Sequence, residues 1–273
     1  MGIAMVILSD KQTNFVSVTG SSYQPLSPTP AYKLVADAIE REILSGRVRP
    51  GQAIGTEAEL VKQFAVNRST VREGIRLLEQ GGLIRRDSSR RLFACLPRYD
   101  RLANRISRAL LLHQVTFGEL WEATLALEVA VAQSAAEHAT PEGLAALEQN
   151  LARTREALGN PALLAKLDTE FHALLCQASG NRVLRLAREP ESQLLSPTTE
   201  VIFSKVPEAT PRLIEAHGFI IDAVRRHDGE AAVLWMRRHV KDWRTGFVRA
   251  GNPLDRTIDS LYRDKQGESP PTP

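Results

Sequence analysis

The stretch "LDTEFHALLCQASGN", residues 167–181, sets Asp168 and His172 four apart. On a helix this spacing projects both side chains from one face, a turn apart. Carboxylate oxygen and imidazole nitrogen are both ligands for borderline divalent ions, but a pair needs more donors from other helices to hold one. "EAHGFIIDAV" and "MRRHVKDW" offer His217 and His239, each in a helical pattern otherwise rich in apolar residues. Three imidazoles and a carboxylate converging in a bundle suit zinc, nickel or a similar ion, with positions left for water or a ligand. Spacing alone keeps a second reading open, in which each histidine is structural or exposed. His113, His138 and His227 lie near helix ends and fit that reading. Cys176, one turn beyond His172, either joins or tunes the site or is a buried apolar thiol.

A second stretch carries a different chemistry. "FAVNRSTVREGIRLLEQGGLIRR", residues 64–86, places Asn67, Arg68, Ser69, Thr70 and Arg72 at the start of a helix that follows a tight turn. Arginine pairs with guanine O6 and N7, while hydroxyls and backbone amides at a helix N-terminus hold phosphates. Ile75, Leu77 and Leu78 supply an apolar side for docking the helix on its neighbours. Beyond "GG", the residues Arg85, Arg86, Arg90 and Arg91 punctuate a β-type hairpin that could follow phosphates or reach the minor groove. Any one of these arginines could be solvated on a surface helix; the arrangement as a whole points to a DNA groove.

The elements that must position these groups can be traced along the chain. "AYKLVADAIEREILSG" has apolar residues at helical spacing and ends on a glycine suited to a C-cap, and "RVRPGQAIG" then reads as a turn. "TEAELVKQF" opens with Thr56 and Glu59 in capping-box register. Helix, helix, turn, helix and basic hairpin make a winged helix-turn-helix over residues 31–97. After Pro97 long amphipathic stretches follow at about 98–112, 117–138, 141–158, 161–179, 181–195, 208–227 and 229–249, with no alternating strand pattern. The fold expected is mainly α: an N-terminal winged helix-turn-helix and, over 98–250, an all-helical bundle of six or seven helices. Ser/Thr/Pro-rich ends predict a disordered arm over 1–30 and a flexible tail over 251–273.

Composition agrees. The 273 residues, 43% of them apolar, suffice for two domains. The net charge of +3 is unevenly spread: residues 31–98 hold 13 Lys+Arg against 8 Asp+Glu, whereas residues 99–250 hold 18 against 19. The basic excess sits where a polyanion would bind. Cys95 and Cys176 form no disulfide framework, which favours a reducing cytoplasm. No apolar run approaches the roughly 18 residues of a membrane helix, and "MGIAMVILSDK" lacks the basic start of a signal peptide.

The run "AYKLVADAIEREILSGRVRPGQAIGTEAELVKQFAVNRSTVREGIRLLEQGGLIRR" resembles the DNA-binding domain of GntR-type bacterial transcription regulators, over nearly all of residues 31–95. The resemblance implies operator contacts by Asn67, Arg68, Ser69, Thr70 and Arg72, with wing contacts expected from Arg86 and Arg90. Two departures are visible: Ala58 stands where the family often has an arginine, and "DSSRRLF" lacks the usual wing glycines. Residues from about 100 to 248 resemble the FCD ligand-binding domain of the FadR subfamily, with "D-x-x-x-H", "H-x-x-I-x-x-A-V" and "M-R-R-H" in the expected order. That resemblance implies a divalent metal held by Asp168, His172, His217 and His239, and a small organic acid beside it that alters DNA affinity. In "LWEATLALEVAVAQ", Thr124 stands where the family often has an arginine that holds the acid. Either another cation substitutes, with Arg182, Arg185 and Lys205 as candidates and Arg182 and Thr124 taken as effector-binding residues, or the ligand is less acidic than usual.

The function expected is a homodimeric, ligand-responsive transcription regulator, a repressor, whose partners are double-stranded operator DNA and a small carboxylate, with no membrane. Two alternatives stand beside it: a metal-dependent hydrolase fused to a DNA-binding domain, and a sensor for which the metal itself is the signal.

Overall fold

The computed structural model describes residues 29–97 and 99–266. The expected arm, apart from its last two residues, and the end of the expected tail (267–273) lie outside the described residues. The chain divides between Leu96 and Pro97 into two compact units.

In the first unit α1 (Ala31–Leu44) buries Val35, Ala36 and Ile39. α2 (Glu57–Phe64) starts with the capping box read from sequence: Glu59 N–H donates to Thr56 Oγ1 at 3.3 Å and Thr56 N–H to Glu59 Oε2 at 2.7 Å. Ala65 turns the chain with φ 51°, and Asn67 caps α3 (Arg68–Gly81) by accepting from Thr70 N–H at 2.8 Å. Val71, Ile75 and Leu78 recur at helical spacing and are buried. Between them Gly74 lets α1 come close, since a Cβ there would stand 2.8 Å from the Tyr32 carbonyl oxygen. Gly82, at φ 75°, ends α3 in the left-handed region.

The wing consists of β2 (Ile84–Arg86) and β3 (Leu92–Ala94), antiparallel with Ile84 opposite Ala94. "RVRPGQAIG", expected to be only a turn, also contains β1 (Ala53–Gly55), which pairs antiparallel with β3 and completes a sheet in the order β1-β3-β2. Three residues are too few to show a strand period. At the wing turn Asp87 Oδ1 accepts from Arg91 N–H at 2.9 Å, and Arg90 takes φ 66°. Arginine thus occupies the left-handed position that glycine would adopt without steric cost.

The second unit is all-helical among the described residues: α4 (Tyr99–Leu112), α5 (Phe117–His138), α6 (Pro141–Glu156), α7 (Pro161–Ala178), α8 (Arg182–Lys205), α9 (Ala209–Arg225), α10 (Gly229–Arg249) and α11 (Ile258–Gln266). Up to residue 249 these are the seven expected helices. α5 and α6 start at capping threonines, Thr116 and Thr140, while α7 and α8 start at capping asparagines, Asn160 and Asn181. One apolar core joins Val131, Ala135, Phe171, Leu175, Ile220 and Met236, and a second joins Phe117, Leu194, Ile202, Phe247 and Ile258.

Two expectations are corrected here. α8 does not end near 195 but continues through Pro190 and Pro197 to Lys205. Pro197 cannot donate to the carbonyl of Gln193, and the Tyr262 hydroxyl donates to that oxygen instead, at 2.5 Å. The region expected to be a flexible tail from 251 contains α11, with Ile258 and Leu261 buried. Thr257 also bridges to Thr116, and Ile258 N–H donates to Val115 O at 2.9 Å.

Candidate metal centre and candidate nucleic-acid interface

Asp168 and His172 share the inner face of α7, between the buried Leu164 and Leu175. His217 comes from α9 and is fully buried, its ring stacked on Phe171 at 3.5 Å between centroids. His239 comes from α10, its side chain 11% exposed. One ligand atom from each of the four lies within 4.8 Å of all the others. Asp168 Oδ1 stands 3.7, 3.4 and 3.7 Å from Nε2 of His172, His217 and His239, and the Nε2 atoms of His172 and His239 are 3.0 Å apart. Donors each about 2.0–2.2 Å from one zinc ion stand about 2.8–3.6 Å from one another at right-angled to tetrahedral geometry, so the separations of 3.0 and 3.4 Å match and the two of 3.7 Å need only a small inward shift to hold an ion. Asp168 Oδ1 and both ring nitrogens of His217 are buried without a hydrogen-bond partner. Buried polar atoms are rarely left so, and an ion at the centre would satisfy Asp168 Oδ1 and one imidazole nitrogen.

The electrostatics suit the same use. Burial, then the neighbouring imidazoles, hold His239 down at about 3, and burial lowers His217, so both stay neutral with lone pairs available. Burial opposes ionisation of Asp168, but the imidazoles, His217 foremost, keep its carboxyl well below the usual carboxylate range.

Sequence reasoning missed two residues behind these donors. Glu128 of α5 is buried, and its Oε2 lies 2.8 Å from His172 Nδ1. Its Oε1 accepts from Arg188 Nε of α8, also buried. Burial opposes ionisation of Glu128, yet the Arg188 guanidinium and then His172 hold it at about 2. A carboxylate on Nδ1 holds that nitrogen as a proton carrier and directs Nε2 toward Asp168 and His239. For His172, burial works against protonation, but Glu128 and then Asp168 raise it above the ordinary imidazole value. The only hint in sequence was an acid in the helix that also holds Thr124.

Asp168, His172 and His239 line one end of a cavity with about 740 Å³ of atom-free space, part of it open to solvent. Leu195, Ile202, Phe203, Val206 and Trp243 form its apolar wall. Gly246 is required there, because a Cβ would stand 2.8 Å from Ile202 Cγ2. Thr124 also lines the cavity and donates to Glu191 Oε2 at 3.3 Å. Burial, then the charge of Glu128, pushes the Glu191 carboxyl up to about 7.

Arg182, expected beside an effector, is exposed in the first turn of α8 and does not line the cavity; nor do Arg185 and Lys205. The α8 arginine near the site is Arg188. At the cavity's outer end Arg249 pairs with Glu208, and Arg212 stands 3.8 Å from Asp242. Cys176 lies in the apolar core, apart from the four donors, and burial pushes its thiol up to about 11. Glu170 points elsewhere and pairs with Arg153 at 2.6 Å.

In the first unit Asn67, Arg68, Ser69, Thr70 and Arg72 cluster at the N-terminus of α3. Asn67 Oδ1 accepts from Thr70 N–H and from Ser69 Oγ, each at 2.8 Å, so part of this set caps the helix. Arg68 and Arg72 have side chains 76% and 71% exposed. Arg86 turns back to Glu79, at 3.3 Å, and Arg85 lies over the Phe93 ring. Arg90 stands exposed at the wing turn.

Comparison with known proteins agrees with both units. Residues 31–93 match the description "Bacterial regulatory proteins, gntR family", and residues 119–242 match the FCD domain. The HTH-type transcriptional repressor NanR of Edwardsiella tarda is 27% identical over 221 residues, 80% of this chain and 85% of that protein. Its counterpart in Escherichia coli K12 is 26% identical over 80% of this chain and 84% of that protein. The solved structure of Streptococcus agalactiae GntR is 26% identical with a TM-score of 0.57, covering 78% of this chain and 99% of that one. The first unit therefore carries a gntR-type DNA-binding domain and the second an FCD domain.

Proposed function

We propose that this protein is a ligand-responsive transcriptional repressor of the FadR subfamily, which binds operator DNA as a homodimer in the cytoplasm and senses a small organic acid through a divalent metal. The observation that carries the reading is the convergence of Asp168, His172, His217 and His239 at one end of a cavity, in a chain whose other unit presents Arg68 and Arg72 at the start of a helix-turn-helix recognition helix. Three imidazoles and one carboxylate favour zinc or nickel, and an ion held by these four residues would supply positive charge beside the cavity. Thr124 offers an incoming carboxylate no charge. Arg188 bonds Glu128 through Nε and, although its Nη2 is buried without a partner, it does not line the cavity, and Arg212 and Arg249 stand with Asp242 and Glu208. An acid group entering the cavity would find its counter-charge at the ion that Asp168, His172, His217 and His239 would hold, and its apolar portion would lie against the wall around Leu195 and Trp243.

A two-fold dimer reads a pseudo-palindrome, with half-sites spaced by the protein. The acid shifts the population between DNA-competent and incompetent dimers by as much as its affinities for the two differ. The curated relatives named as repressors support that sign of regulation.

The test uses chelator-stripped protein and a duplex that the metal-loaded protein enriches from a random-sequence pool. DNA affinity is followed by fluorescence anisotropy with zinc or nickel and a panel of small carboxylates. The reading expects one acid to weaken DNA binding only when metal is present. Affinity that tracks metal with no acid effect identifies a metal sensor instead, and chelator-sensitive turnover of an ester or amide identifies a hydrolase.

A further inference from the structure

We infer that Glu57 is the positioning residue for DNA-sequence discrimination: its carboxylate holds Arg68 by Nε and leaves the terminal edge of that guanidinium for a base. This rests on the DNA-binding reading above. Glu57 lies in the first turn of α2, its side chain only 13% exposed. Its Oε1 accepts from Arg68 Nε at 2.9 Å and stands 3.9 Å from Arg72 Nε, while its Oε2 stands 3.7 Å from Arg86 Nη1. One carboxylate from the helix before the turn thus meets two arginines of the recognition helix and one of the wing.

The choice of nitrogen matters. Guanidinium presents five N–H donors in a fixed fork, and bidentate recognition of guanine O6 and N7 needs two of them side by side. An acid bonded to Nε alone spares the Nη pair. It also fixes the long side chain before encounter, so less freedom is lost when a base is read. A carboxylate so near the DNA face repels phosphates and weakens sequence-independent binding. Glu57 is therefore expected to lower affinity for arbitrary DNA while raising it for the right site.

The neighbouring residues concentrate the task on these arginines. Ala58 has no donor to offer, and Asn67 Oδ1 and Ser69 Oγ are joined to each other at the α3 cap.

The experiment uses the full-length protein, a duplex enriched by the wild type from a random-sequence pool, and a shuffled duplex of the same composition. Affinity for both is measured for wild type, Glu57→Gln, Arg68→Ala and the double variant, with thermal unfolding and circular dichroism recorded for each. Glu57→Gln should leave the fold intact, keep or raise affinity for the shuffled duplex, and reduce the ratio of enriched to shuffled affinity by about tenfold. In the Arg68→Ala background the same substitution should change that ratio by less than about twofold, because the group it positions is gone. An unchanged ratio, or an equal fall with and without Arg68, overturns the inference and leaves Glu57 a structural residue. If the wild type enriches no duplex, the DNA-binding reading itself fails and takes this inference with it.

Discussion

The Nδ1 atom of His172 lies 2.8 Å from Glu128 Oε2, and Glu128 in turn accepts from the buried Arg188. A buried carboxylate with partners on α7 and α8 thereby fixes the orientation of one imidazole at the centre of the second unit. The Glu128→Gln variant keeps the shape of the side chain but loses the charge that orients His172, so zinc affinity should fall by about 10- to 100-fold. Competition against a chromophoric chelator, at a temperature where the variant remains folded, measures this. Undiminished affinity would show that Glu128 serves only Arg188.

Glu191 supplies a pH signature. Its carboxyl is raised from 4.5 to about 7 in the folded protein, first by burial and then by Glu128. An acid with a raised folded value binds its proton more tightly when folded. The stability it contributes is therefore complete below about 4.5 and lost as pH rises through about 7. Glu191→Gln should remove that dependence, on the order of 3 kcal/mol between the two limits. Urea unfolding of wild type and variant at pH 5 and pH 8 checks it, and parallel profiles would contradict it.

Arg68→Ala and Arg72→Ala should each weaken binding to an enriched duplex by about 1–3 kcal/mol without altering far-ultraviolet circular dichroism, since both side chains are mostly exposed. Full affinity in the double variant would remove α3 from the groove.

Tyr262→Phe isolates the hydrogen bond by which α11 satisfies Gln193 beside Pro197. Its loss should cost about 1 kcal/mol, or roughly 2–4 °C in a chain of this size. An unchanged melting temperature would mean that solvent serves that carbonyl equally well.

Much of this was legible in the sequence, for identifiable reasons. The Thr56 capping box, the Asn67 cap and the four-residue spacing of Asp168 and His172 are local patterns, and each is present in the structure. His217 and His239 could be proposed because they interrupt apolar helices, and the structure brings them beside Asp168. Glu128 could not, because its partner lies 44 residues away on another helix and an acid in an amphipathic helix usually marks a solvated face. Arg182, Arg185 and Arg188 follow one another at three-residue steps, which rotates the chain only part way round the helix at each step. Which of them turns inward depends on the path of α8 through Pro190 and Pro197, where proline suggested an end. α11 escaped notice because it is short and offers the core only Ile258, Leu261 and Tyr262.

The most direct test of the account is thermal unfolding of the purified, chelator-stripped protein with zinc, nickel or manganese, alone and with each small carboxylate of a panel. A ligand that binds only the folded state at a hundred times its dissociation constant adds about 2.7 kcal/mol of stability. The account predicts a rise in melting temperature with zinc or nickel, a further rise with one acid, and loss of both in His217→Ala. An unchanged melting temperature with every metal would contradict it, and would leave the four buried side chains as a structural cluster in a DNA-binding regulator.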